Sequence, residues 1–188
     1  MITMQNHETE VRFLEVDKSA LVRKLKSLGA TDRGEVLLEE VIIYDKDIKW
    51  RDEKRFIKIR KSGDAVTLTY KRHLPRAMDG AEEIELKIND ADQAIAFLEQ
   101  LGFIAFRRQE KLRHTFILKG VTFDIDTWPK VPTYVELEGP TMEALKDAAR
   151  AVGLDWEKVT YEDPRFVIEE IYHIPVGTLH WFTFEKME

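Results

Sequence analysis

The chain contains no cysteine. That excludes disulfides, a thiolate metal site and a cysteine nucleophile, and it fits a cytoplasmic protein. No stretch approaches the roughly 18 apolar residues of a membrane helix, so no membrane association is expected. The opening residues, Met1 to His7, are polar and lack the apolar core of a secretory signal. Basic excess is missing too. Lys and Arg number 29 against 35 Asp and Glu, a net charge of −6, which argues against general nucleic-acid binding. The five histidines show no ligand spacing, so a histidine metal site is not expected.

What remains is a globular chain. Its 188 residues, 44% hydrophobic, suit one domain over residues 1–188, with a core from about 8 to 172 and an extension from 173 to 188. The charged fraction is 34%, above the usual figure of about 25%. The charges are unevenly placed. From Lys49 to Arg76 there are ten Lys or Arg against three Asp or Glu, a local +7, so the remainder carries −13. Such a block is either a solvated basic loop or an anion site, and periodicity separates the two.

Alternate residues of a strand face opposite sides. In 56–61, Lys58 and Arg60 share one parity while Ile57 and Ile59 share the other. After the turn signal Ser62-Gly63-Asp64, Thr67, Thr69 and Lys71 oppose Val66, Leu68 and Tyr70. The basic block is therefore a hairpin with one cationic and one apolar face. Six more runs read as strands. Glu8, Glu10 and Arg12 oppose Val11 and Phe13; Glu83, Glu85 and Lys87 oppose Ile84, Leu86 and Ile88. Lys111, Arg113 and Thr115 oppose Leu112, His114 and Phe116; Asp124 and Asp126 oppose Phe123 and Ile125; Tyr134, Glu136 and Glu138 oppose Val135 and Leu137. Val36 to Asp45 is strand-like with ambiguous facing.

Helices fall between the strands. Asp17, Asn89 or Asp90, and Thr141 are N-cap candidates for helices stopped at Gly29, Gly102 and Gly153. Pro164 opens a fourth, through Ile171. Each of the first three helices follows a strand carrying Glu-x-Glu. The fold class is α+β, with eight antiparallel strands whose apolar faces are covered by helices. The charged faces then point away from the helices. They meet solvent if the sheet is open, and line a charged interior if it closes into a barrel.

The charged faces have a chemical logic. Carboxylates at i and i+2 on neighbouring strands can converge on a hard divalent cation such as Mg²⁺. Lys58, Arg60, Lys71, Lys111 and Arg113 are of the kind that bind phosphate oxygens. Charges buried without partners would cost far too much, so a closed interior must be wet, internally paired, or filled by metal and polyphosphate.

At this point a family resemblance enters. Glu8-Thr9-Glu10-Val11-Arg12 resembles the E-x-E-x-K signature that opens CYTH proteins, the triphosphate tunnel metalloenzymes. Lys58-x-Arg60, Thr69-Tyr70-Lys71, Glu83-x-Glu85, Lys111-x-Arg113, Asp124-x-Asp126 and Glu136-x-Glu138 follow in that family's order. The resemblance implies an eight-stranded antiparallel β-barrel, a triphosphate tunnel with a charged interior, surrounded by helices. It also implies Mg²⁺ or Mn²⁺ held by Glu8, Glu10, Asp124, Asp126, Glu136 and Glu138. The triphosphate would be bound by Arg12, Lys58, Arg60, Lys71, Lys111 and Arg113, with Glu83 and Glu85 on the substrate-binding face. Glu8, Glu10 and Arg12 would carry catalysis. Arg12 stands where the family has Lys; it keeps the charge but cannot serve as a base.

The family includes inorganic triphosphatases, thiamine triphosphatases and class IV adenylyl cyclases. Two acids on the last strand, Glu136 and Glu138, resemble the triphosphatases. The expected function is metal-dependent hydrolysis of a small-molecule triphosphate. Alternatives are an adenylyl cyclase making cyclic AMP from ATP and a non-catalytic polyphosphate or nucleotide sensor. The aromatic tail from Pro175, with Trp181, Phe182 and Phe184, leaves three readings open: an added strand, a plug at a tunnel mouth, or a homodimer contact.

Overall fold

In the computed structural model, residues 9–73 and 81–188 are described. Glu8, expected among the metal ligands, lies outside them. The strands are β1 (Thr9–Phe13), β2 (Thr31–Asp45), β3 (Arg55–Ser62), β4 (Ala65–His73), β5 (Ala81–Ile88), β6 (Phe103–Leu118), β7 (Val121–Thr127), β8 (Tyr134–Gly139), β9 (Val159–Thr160) and β10 (Trp181–Phe182). The helices are α1 (Lys18–Ser27), α2 (Lys49–Asp52), α3 (Ala91–Gln100), α4 (Met142–Val152) and α5 (Pro164–Phe166). The fold class is α+β, an antiparallel sheet with helices, as the alternating pattern requires. All eight expected strands are present, and the short β9 and β10 are additional. Among the described residues no helix is long and apolar enough to cross a membrane.

The helix starts follow the capping signals. Asp17 accepts a bond from the Ala20 amide, Asp90 from Gln93 and Thr141 from Ala144. Each side chain satisfies an amide that has no partner inside its helix. α4 ends at Gly153, whose φ of 83° is the left-handed conformation that glycine adopts without strain. The fourth helix is split: Asp163 caps α5, and a π-helical turn, Val167–Ile171, continues it. Lys49–Asp52, at the start of the basic block, is a helical turn. The Asp45 carboxylate accepts from the Trp50 amide, and the Trp50 ring packs edge-on against Tyr70 and Phe103.

Two compact units make up the chain. Among the described residues the first comprises 37–73, 81–111 and 179–188, and the second 9–36 and 112–178. β2 and β6 run through both. In the first unit the strand order is β5-β4-β3-β2-β6, with β10 pairing parallel to β6. Its core joins Val41, Ile43, Ile57 and Ile59 to Ile95 and Leu98 of α3. In the second unit the order is β6-β7-β8-β1-β9. There Val11, Phe123 and Leu137 pack with Leu25 of α1 and Leu145 of α4.

Helix cover is incomplete. Ile88 joins the core of the first unit, but Ile84 and Leu86 on the same face of β5 are 58% and 55% exposed. The tail takes the first of its three readings and adds a strand. Phe182 is fully buried, the Arg108 amide donates to the His180 carbonyl, and Glu188 folds back to bond the Trp181 backbone.

Candidate functional site

Strand register decides which side chains share a face, because residues directly opposite one another point to the same side. In the second unit Arg12 is opposite Glu136 and Glu10 opposite Glu138. Asp124 is opposite Glu136, and Arg113 opposite Asp126. The expected acids Glu10, Asp124, Asp126, Glu136 and Glu138 thus occupy one face with Arg12 and Arg113. Two of these cross-strand pairs, Glu10–Glu138 and Asp124–Glu136, set like charges together, an arrangement that is destabilising on its own.

The two arginines supply the counter-charge. Arg12 is 2% exposed; its Nη2 lies 2.8 Å from Glu10 Oε1 and 2.6 Å from Glu136 Oε2, and its Nη1 donates to the Glu162 carbonyl at 2.9 Å. Its Nε, also buried, has no hydrogen-bond partner. Arg113 grips Asp126 bidentately at 2.7 Å through Nε and Nη2, bonds Asp124 through Nη1, and lies 3.7 Å from Glu136. Burial works against the charge on both guanidiniums. The neighbouring acids outweigh it and hold both above the ordinary arginine range. Burial also raises Asp124, partly offset by Arg113. Tyr134, fully buried opposite Asp126, is pushed well up by burial and by the charges of Asp126 and Glu136.

All-oxygen carboxylate donors are what Mg²⁺ or Mn²⁺ takes, so the chemistry of this set suits such an ion. Their arrangement, however, is closed around guanidinium groups. Among the described residues no group of three or more His, Cys, Asp or Glu is placed to hold a metal.

The first unit carries the cations. Lys58 is opposite Thr69, which is opposite Glu85; Arg60 is opposite Glu40 on one side and Thr67 on the other; Lys71 is opposite Glu83. Lys87, opposite Thr67, is exposed. Lys71 pairs with Glu83 at 3.4 Å, and the Thr69 hydroxyl donates to Glu85 at 3.1 Å. Both Glu83 and Glu85 are exposed, whereas Lys111 and Arg107 are buried. Lys58 titrates low, down to about 8: burial disfavours its charge, and Arg60 and Lys71 repel it, against the opposing pull of Glu40 and Glu83.

Glu40, Gln109, Arg107 and Tyr134 were not legible as site residues. The Glu40 carboxylate accepts from Arg60 Nε at 2.7 Å and from Gln109 Nε2 at 2.6 Å, and Gln109 accepts from Arg107 Nε at 2.8 Å. Burial alone would raise Glu40; Arg60, Lys58 and Lys111 overcome it and hold the carboxyl well below the usual range. The available signal was the pair Glu39-Glu40 inside the Val-, Ile- and Leu-rich run of β2. The Trp128 indole donates to the Tyr134 hydroxyl and is buried. His114 lies 2.7 Å from Asp32, its ring against Phe116.

A CYTH-domain family model matches residues 6–164. The chain belongs to the CYTH family. A candidate adenylate cyclase of Methanocaldococcus jannaschii is 26% identical over 132 residues, 70% of this chain and 75% of that protein. Among solved structures, a protein of Pyrococcus horikoshii superposes with a TM-score of 0.70 at 26% identity, covering 83% of this chain and 96% of its own. A Hippeastrum protein described as a candidate adenylyl cyclase with a dominant triphosphatase activity superposes at 0.65 with 13% identity, covering 88% and 95%.

Proposed function

We propose that this chain is a metal-dependent phosphohydrolase acting on a triphosphate-containing small molecule: inorganic tripolyphosphate, thiamine triphosphate or a nucleoside triphosphate. The observation that carries the reading is the cation cluster of the first unit. Lys58, Arg60 and Lys111 act on one buried acid, Glu40, with Arg107 bonded to its partner Gln109 and Lys71 repelling Lys58. Lys58 resists its own charge there. Such a concentration of cations suits a polyphosphate, which supplies several negative oxygens at once.

The chemistry is charge neutralisation. Negative charge spreads over the phosphate oxygens in the transition state, and preorganised cations stabilise it. In this reading Lys58, Arg60, Lys71 and Lys111 hold the phosphates, with Arg113 and Arg12 adding charge. Glu8, Glu10, Asp124, Asp126, Glu136 and Glu138 are the acids that would hold Mg²⁺ or Mn²⁺ once released from the guanidinium groups. A divalent ion, when bound, supplies further neutralisation and an activated water. Arg12 remains protonated throughout and contributes charge only. A second reading, adenylyl cyclase, is favoured by the names of the relatives, and it uses the same cations.

The test is direct. The protein is incubated with Mg²⁺ or Mn²⁺ and tripolyphosphate, thiamine triphosphate or ATP, and phosphate, pyrophosphate and cyclic AMP are measured. Phosphate release without cyclic AMP is expected. Cyclic AMP with pyrophosphate from ATP would transfer the assignment to the cyclase. Tight binding without any product would leave a polyphosphate sensor.

A further inference from the structure

We propose that Glu40 is a positioning residue of the anion site: it aims Arg60 and, with Gln109, keeps the cation cluster assembled while no anion is bound. The inference rests on the triphosphate reading and goes further, to a residue outside the matched motifs. Glu40 is directly opposite Arg60 across β2 and β3. Its carboxylate is almost wholly buried, and its two oxygens are divided between Arg60 on β3 and Gln109 on β6. The Arg60 side chain is 25% exposed. The bond at Nε orients its guanidinium plane while the side chain stays partly accessible. A buried carboxylate in an anion site would be unfavourable unless it offset something larger. Here it offsets repulsion among Lys58, Arg60 and Lys111, the three cations whose charges act on it.

The proposal separates two effects that a merely structural role would keep together. Glu40→Gln keeps the shape and removes one negative charge. Polyanion attraction then strengthens, while Arg60 loses its charged anchor. The expected result is a kcat lower by about 10- to 100-fold with an unchanged or lower KM. A pH signature accompanies it. The groups facing Lys58 are Glu40 on β2, Arg60 on its own strand, Lys71 on β4 and Glu83 on β5, with Lys111 of β6 beside Glu40. Removing Glu40 takes away an attractive partner of Lys58, so the ammonium loses its proton at lower pH. The alkaline limb of tripolyphosphate binding, measured calorimetrically in EDTA, should move to lower pH.

Glu40→Asp keeps the charge on a side chain one methylene shorter. It should restore the position of the alkaline limb but not the full kcat. It also serves as the second variant if Glu40→Gln does not fold, as judged by circular dichroism. Wild-type kcat in Glu40→Gln, an unmoved alkaline limb, or a parallel loss of kcat and affinity would each overturn the positioning role. Wild-type protein that binds no tripolyphosphate either in EDTA or with Mg²⁺ would overturn the functional reading itself. Wild-type binding with an unaltered Glu40 variant would overturn this inference alone.

Discussion

Arg113 touches three acids, Asp124, Asp126 and Glu136, and Asp126 is completely buried. Breaking a buried pair leaves an uncompensated charge, at a cost of about 3–5 kcal/mol. Arg113→Gln should therefore lower the urea unfolding free energy by that order. Arg150→Gln, which breaks an exposed pair with Asp147, should cost less than about 1 kcal/mol. Equal costs would show that Arg113 is not the counter-ion of the cluster. Lys58 offers a pH test. Its folded pKa, about 8, lies below its ordinary 10.5. Between those values the unfolded chain binds the proton and the folded chain does not, so this residue's contribution rises with pH. Below about 8 the full penalty of burying its charge is present. Lys58→Met should be more stable than wild type at pH 7, with the advantage shrinking by pH 10.5. Urea midpoints at the two pH values check it, and a constant difference would refute it. Most such residues were legible because their parity was clean. Glu40 was not, since it adjoins Glu39 in a run rich in Val, Ile and Leu, and the sequence does not say which of the two acids turns inward.

Among the elements, the β3–β4 hairpin and α1, α3 and α4 were readable from alternation, capping side chains and terminal glycines. β2 was harder. Leu38, Ile42 and Tyr44 share one face with Glu40, while Val41 and Ile43 share the other, and all five apolar residues are buried. A strand covered on both faces loses its alternation, so its facing emerges only from its pairing with β3. The α2 turn depends on Trp50 packing with residues of β4 and β6, contacts distant in sequence. Gly139, at the end of β8, shows packing that composition conceals. A Cβ there would stand 3.0 Å from Leu145 Cδ2 of α4 and 3.2 Å from Val121 Cγ2. Gly139→Ala should destabilise by about 1–3 kcal/mol through overcrowding, read as a lower thermal midpoint. An unchanged midpoint would mean that α4 shifts to make room.

For the whole molecule, the net charge of −6 conceals a division between a cation-rich cluster in one unit and an arginine-neutralised acid cluster in the other. If the cation cluster takes polyphosphate without help from metal, tripolyphosphate in EDTA should raise the melting temperature. At about 100 times Kd the stabilisation is about 2.7 kcal/mol, and it should weaken with added salt. Sodium sulfate at equal ionic strength should give a smaller shift. Equal shifts would reduce the effect to general ion binding. The sequence by itself determined the strand faces, the helix starts and the family, because alternation, caps and motif order are local properties of the chain. The tertiary structure alone decided which charges neutralise one another. Arg12 closes on Glu10, Glu136 and a distant carbonyl, and Glu40 on Arg60 and Gln109, because strand register brings these groups within 3 Å of one another. Spacing along the chain fixes the face on which a charge stands, but its partner is fixed by the strand that lies alongside.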